Sequence, residues 1–297
     1  MNLKSPLTYR EQICKLKSEN ILIENEVEAL NLLSCISYYR LSGYALSFRL
    51  TPSQSIYQNN TSLKTIYQIY QFDEQLRTIF RTYIEKIEVY FRTQISYGFA
   101  TAKCTHPPFD QHYDEQNFYN KTGYREVMTA FRREQNYFRD SLIVKHHKSK
   151  YENKMPLWVM TELMSFSNLS KLYNSMYLSE KECIAKPNAI SYNTLENHLH
   201  CLSVLRNKCA HAARLYNTVF YPPARFTKHF LQNHPEIKNT SLFAYSLILL
   251  KRLPGFENKQ TFIQQFQTLM EKYSNIIDRS LIGVPENYLE IMMRYIA

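Results

Sequence analysis

Residues 63–100 read LKTIYQIYQFDEQLRTIFRTYIEKIEVYFRTQISYGFA. Leu76, Phe80, Tyr83, Ile87 and Phe91 recur there at steps of three and four, and Arg77, Arg81, Lys86 and Arg92 fall between them. A stripe of that period is one face of an α-helix, because about 3.6 residues complete a turn. The stretch is one long amphipathic helix, or two with a bend. It ends before Pro107 and Pro108, which cannot continue it.

The same period governs most of the chain, and no run alternates as a strand would. A second helix is expected from near Pro156, with Val159, Leu163, Phe166, Leu169, Tyr173 and Met176 on its apolar face. A third runs from about Tyr192 towards Leu215, and C-terminal helices are expected near residues 241–252, 259–273 and 286–295. Polar or proline-rich loops separate them at residues 51–62, 106–124 and 221–225. The expected class is all-α, with a small helical subdomain over residues 1–60 and the main helical domain over 61–297.

Five glycines among 297 residues disfavour a turn-rich β fold, and 24 tyrosines and 17 phenylalanines supply a large core. A formal net charge of +10 favours a polyanionic partner, nucleic acid before an anionic membrane surface. The six cysteines, Cys14, Cys35, Cys104, Cys183, Cys201 and Cys209, form no CxxC pair and read as reduced thiols of a cytoplasmic protein. The first ten residues lack a signal peptide's apolar core. The most apolar late run, residues 242–250, is about half the length that spans a bilayer, so no membrane association is expected.

The chemistry concentrates in Leu205-Arg206-Asn207-Lys208-Cys209-Ala210-His211-Ala212-Ala213-Arg214-Leu215. Leu195, Leu199, Leu202, Leu205 and Cys209 form an apolar stripe, and Arg206 falls within roughly 40° of its centre. A guanidinium there needs an internal ion pair, a snorkelling path to water, or a ligand. His211 lies about 140° round the helix from Arg206. The two converge only if the helix distorts or ends between them, or if a second copy contributes across a two-fold interface. Asn207 lies between them in angle and could orient either side chain. Spacing alone is weak, since composition predicts about 1.5 Arg-x(4–6)-His pairs by chance. The chain has two, Arg206 with His211 and Arg139 with His146, and the second lacks the Asn and the apolar helix.

The Arg-Asn-x-x-x-His string resembles the catalytic motif of HEPN ribonucleases, and its surroundings resemble the bacterial abortive-infection (Abi) family of HEPN proteins. Tyr39-Arg40-Leu41-Ser42-Gly43-Tyr44 looks like that family's N-terminal signature. Phe72-Asp73-Glu74-Gln75-Leu76-Arg77 with Ile84-Glu85-Lys86-Ile87-Glu88 looks like its central helix. Met155-Pro156-Leu157-Trp158-Val159 with Glu162-Leu163-Met164-Ser165-Phe166 looks like another block, and Ile282-Gly283-Val284-Pro285 like a C-terminal element. Ser167 stands where the resemblance expects glycine.

The resemblance implies a HEPN-like helical bundle acting as a metal-independent endoribonuclease toxin in anti-phage defence. The 2′-hydroxyl would attack the phosphate, leaving a 2′,3′-cyclic phosphate. His211 would move the proton, since a histidine exchanges protons near neutral pH, and Arg206 would hold the phosphate. It further implies a homodimer facing two motif copies together, and RNA as substrate, with a small noncoding RNA as possible regulator. Lys208 and Arg214, with Lys145, His147, Lys148 and Lys150, are candidate RNA contacts. The competing reading is a non-catalytic HEPN module that binds RNA or protein.

Neither a cofactor nor a metal is expected. His198, His200, Cys201, Cys209 and His211 point in scattered directions on one helix, and no pair has the spacing of a zinc site. Glu85 and Glu88 read as helix-face partners of Lys86, Arg81 or Arg92.

Overall fold

A computed structural model describes residues 3–51, 53 and 55–296. Met1, Asn2, Pro52, Gln54 and Ala297, which include the outer ends of the two expected segments, lie outside the described residues. The fold is all-α, and among the described residues the only β pairing is two isolated bridges. Three short helices, α1 (Tyr9–Ser18), α2 (Glu26–Cys35) and α3 (Tyr38–Tyr44), precede α4 (Leu63–Lys103). Then come α5 (Lys121–Tyr137), α6 (Leu142–Lys150), α7 (Leu157–Leu163), α8 (Phe166–Ser175), α9 (Leu178–Ala185) and α10 (Tyr192–Ala210). The chain continues through α11 (Lys228–Asn233), α12 (Leu242–Arg252), α13 (Phe256–Lys272) and α14 (Tyr288–Ile296).

The central helix is unbroken. Ser62 caps it by accepting a hydrogen bond from the Thr65 amide at 3.0 Å, and its 41 residues make a rod about 60 Å long. Phe72, Leu76, Phe80, Ile87, Phe91, Ile95 and Phe99 are fully buried along it, and α3, α7, α9, α10 and α13 pack around it. Gly98 interrupts the stripe for a steric reason, because a Cβ there would lie 2.5 Å from Ile184 of α9. The apolar run 242–250 is α12, buried on every side as a core helix is. No described helix is long and apolar enough to cross a membrane.

Three expectations need correction. The single helix from Pro156 is two, α7 and α8, broken at Met164. There Ser165 caps α8 through the Asn168 amide, and Arg92 takes the Met164 carbonyl at 2.9 Å, so the broken ladder is satisfied. The segment expected to be a loop through Tyr124 becomes helical at Lys121. The helix expected to run towards Leu215 stops at Ala210.

Candidate active site

Ser191 caps α10, and its apolar stripe, Leu195, Leu199, Leu202, Leu205 and Cys209, is buried inside the chain's own fold against α4, α8 and α12. That stripe does not form an interface between copies, because its partners are already within the chain. Arg206 leaves it sideways. Its side chain is 38% exposed, and Nε lies 3.5 Å from Oε2 of Glu88 on α4. Glu88 also accepts from Arg92 at 2.7 Å, so two guanidinium groups share one carboxylate.

Helix α10 ends in a Schellman arrangement. The Ala213 amide donates to the Lys208 carbonyl at 2.8 Å and the Ala212 amide to that of Cys209 at 3.3 Å. His211 is the C-cap and is exposed. Ala212 occupies the left-handed position at φ 50°, where glycine is usual and alanine costs about 1 kcal/mol.

Side chains from far upstream hold this turn. Arg40 donates to the Ala212 carbonyl at 2.5 Å, and Arg214 donates back to the Gly43 carbonyl. The Asp73 carboxylate, fully buried, accepts from the amides of Leu215 at 3.1 Å and Tyr216 at 2.8 Å. It also accepts from the Tyr44 hydroxyl at 2.6 Å and forms an ion pair with Arg77. Burial pushes the Asp73 carboxyl up, and burial likewise raises the Tyr44 hydroxyl. Against this, Arg77, the Tyr44 hydroxyl and the two amides favour the Asp73 charge. His211 therefore stands at the surface on a mount fastened by α3 and α4.

The other expected residues are spread out. Asn207 donates to Ser167 Oγ at 3.0 Å, so the serine that replaces an expected glycine supplies its partner. Lys208 lies over the Phe220 ring at 5.5 Å. Lys145, Lys148 and Lys150 are exposed on α6. His147 is not beside them at the surface. It is buried, with Nδ1 2.8 Å from the Ile143 carbonyl, which corrects the expectation that it contacts RNA. Among the described residues no group of three His, Cys, Asp or Glu side chains is placed to hold a metal ion.

His198 is buried with Nε2 2.8 Å from the Arg225 carbonyl, and burial pulls it down to about 3. Its folded pKa lies below the ordinary 6.5, so the unfolded chain takes up the proton first as pH falls. Stability present above pH 6.5 is expected to decline steadily towards pH 3. Urea unfolding across that range should show the acid-side slope reduced by about one proton in His198→Gln. An unchanged slope would remove His198 from the account.

The sequence alone gave no role to Asp73, Arg77 or Arg40, although all stand in the blocks that carry the resemblance. Glu88, read as a helix-face partner of Lys86, Arg81 or Arg92, does pair with Arg92 and takes Arg206 as well. The signal was present at Asp73 and Arg77: two charges four apart, on the same helix as a run of buried aromatics, have to meet each other.

The sequence pattern of one protein family, described as Abi-like protein, matches residues 31–217. No curated protein and no solved structure matches the chain. Well over half the chain fits that pattern, which takes in Arg40, Gly43, Asp73, Arg77 and the whole turn from Arg206 to Tyr216, and the chain belongs to the family of Abi-like proteins.

Proposed function

We propose that this Abi-like protein is a HEPN-type endoribonuclease acting in abortive infection, with His211 and Arg206 as its catalytic residues and Asn207 as their support. The observation that carries the reading is the mount of His211. Five upstream residues, Arg40, Gly43, Tyr44, Asp73 and Arg77, fix the turn that follows it, yet the imidazole itself is left open. A site that must present a proton-transfer group to a large substrate needs that combination of rigidity and access.

In this reading the base removes the proton from a ribose 2′-hydroxyl, and the freed oxygen attacks the adjacent phosphorus. The bond to the 5′-oxygen breaks, and that oxygen leaves as a hydroxyl once an acid protonates it. A 2′,3′-cyclic phosphate remains. Arg206 stabilises the charge on the phosphoryl oxygens, which requires it to exchange Glu88 for the phosphate.

Since α10 runs through Arg206 and ends at His211, the two side chains leave it about 140° apart. A homodimer that sets the Arg206 of one copy near the His211 of another supplies the missing convergence. Lys208, Arg214, Lys145, Lys148 and Lys150 would add phosphate contacts.

Cleavage is expected to persist in EDTA and to leave 2′,3′-cyclic phosphate and 5′-hydroxyl ends, read by end-labelling of the products. Strict dependence on a divalent ion would sink the mechanism. The Arg206–Glu88 ion pair favours a second reading, a non-catalytic module in which Arg206 only ties α10 to α4. In that case purified protein binds RNA and leaves it whole.

A further inference from the structure

Of the outer face of α10 the catalytic reading uses only Asn207, at its end. Asn193, Asn197, His200, Val204 and Asn207 follow one another at steps of three and four, ending one turn from His211. Across from them stand Ser167, Ser170 and Asn174 of α8, and the space between is a groove of about 600 Å³. A second hollow of about 530 Å³ shares Asn174, Asn193 and Glu196 with the first, so the two adjoin as a channel in two parts. Its far end is lined by Tyr119, Lys121 and Tyr192.

Most of the residues that line the channel are polar, with Val204 and Pro222 the apolar exceptions beside them. A protein partner is anchored by a dry, apolar centre, which a lining of asparagine, serine and histidine does not provide. Asn197 commits its amide to the Pro223 carbonyl and the Arg225 amide, and Asn207 donates to Ser167. The amides of Asn174 and Asn193 face the channel and offer donor and acceptor together, the complement of an unpaired base edge. Tyr119 is 75% exposed, with its ring open to solvent beside the half-buried Tyr192. Exposed tyrosine faces stack on bases of any identity. The distance also fits: eighteen residue steps from Asn193 to His211 span about 27 Å along the helix. That is room for roughly four nucleotides of unstacked strand.

We propose that this channel is a subsite for the unpaired nucleotides flanking the bond at His211, with Tyr119 and Tyr192 stacking on the base at its far end. The position relative to His211 rests on the ribonuclease reading; the channel's affinity for a strand does not.

The test uses the full chain and single-stranded 2′-O-methyl oligoribonucleotides, which lack the attacking hydroxyl and cannot be cut. Fluorescence anisotropy should show Tyr119→Ala binding about tenfold more weakly than wild type. The difference should vanish for oligonucleotides too short to span the channel. Asn193→Asp should weaken binding by a similar factor, because it puts a negative charge against the strand. Photo-crosslinks from 4-thiouridine should map to Tyr119 or Tyr192. Unchanged affinity in both variants, or a protein ligand that protects Tyr119 while the oligonucleotide does not, overturns the proposal. If unmodified RNA is never cut while the oligonucleotide still binds through Tyr119, the channel stands and the ribonuclease reading falls. If RNA is cut and Tyr119→Ala binds as wild type, the channel falls alone.

Discussion

His211→Ala is expected to lower RNA cleavage by about a thousandfold or more and to abolish growth inhibition, with thermal unfolding unchanged. A positioned acid or base contributes on the order of 10² to 10⁴ in rate. His211 is exposed and caps the helix through its backbone, so alanine removes the imidazole without disturbing the turn. Arg206→Ala should cost about 10² to 10³, the scale of one lost group at a developing oxyanion. The decisive measurement is single-turnover cleavage by purified variants alongside their melting curves. A folded His211→Ala chain that cuts at the wild-type rate would end the assignment. Mixing the two inactive variants adds a test of assembly. If one copy's Arg206 serves another's His211, some activity returns on mixing, whereas a site contained within one copy stays dead.

The second large effect belongs to stability. Asp73→Ala should destabilise the fold by about 3–5 kcal/mol, the usual cost of removing one partner from a buried pair. It would strand the Arg77 guanidinium, the Tyr44 hydroxyl and the amides of Leu215 and Tyr216 together, each without its acceptor. Denaturant titration measures the loss directly. A change below about 1 kcal/mol would mean that the network is incidental, since exposed pairs contribute about that much.

The all-α class was legible because the stripe of α4 keeps its period through an unbroken helix of about eleven turns, and the one glycine that interrupts it has a local steric cause. The break between α7 and α8 was not legible. Residues 157–175 keep helical period through it, and the break is settled by Ser165 and by Arg92, which comes from another helix. The end of α10 was hidden for the same kind of reason. Ala210, Ala212 and Ala213 are strong helix formers, and local preference carries the helix onward. Hydrogen bonds from Arg40 and to Asp73 outweigh that preference and turn the chain at Ala212. The site's residue types were legible from their order in the motif. The Glu88 ion pair of Arg206 and the buried place of His147 were not, because each depends on how a side chain turns from its helix.

The clamp on the His211 turn joins positions about 170 residues apart in sequence. A ribosome making this chain releases Arg40 and Gly43 long before it reaches Ala212 and Arg214. Until the later residues emerge, the earlier half of the clasp has nothing to hold. Chains that stop before Ala212 therefore lack one half of the clasp and cannot close it. The same geometry lets the polypeptide be divided in the loop after α4 without losing either half of the clasp. On the proposed ribonuclease reading, two fragments produced separately should leave RNA whole apart and cut it together.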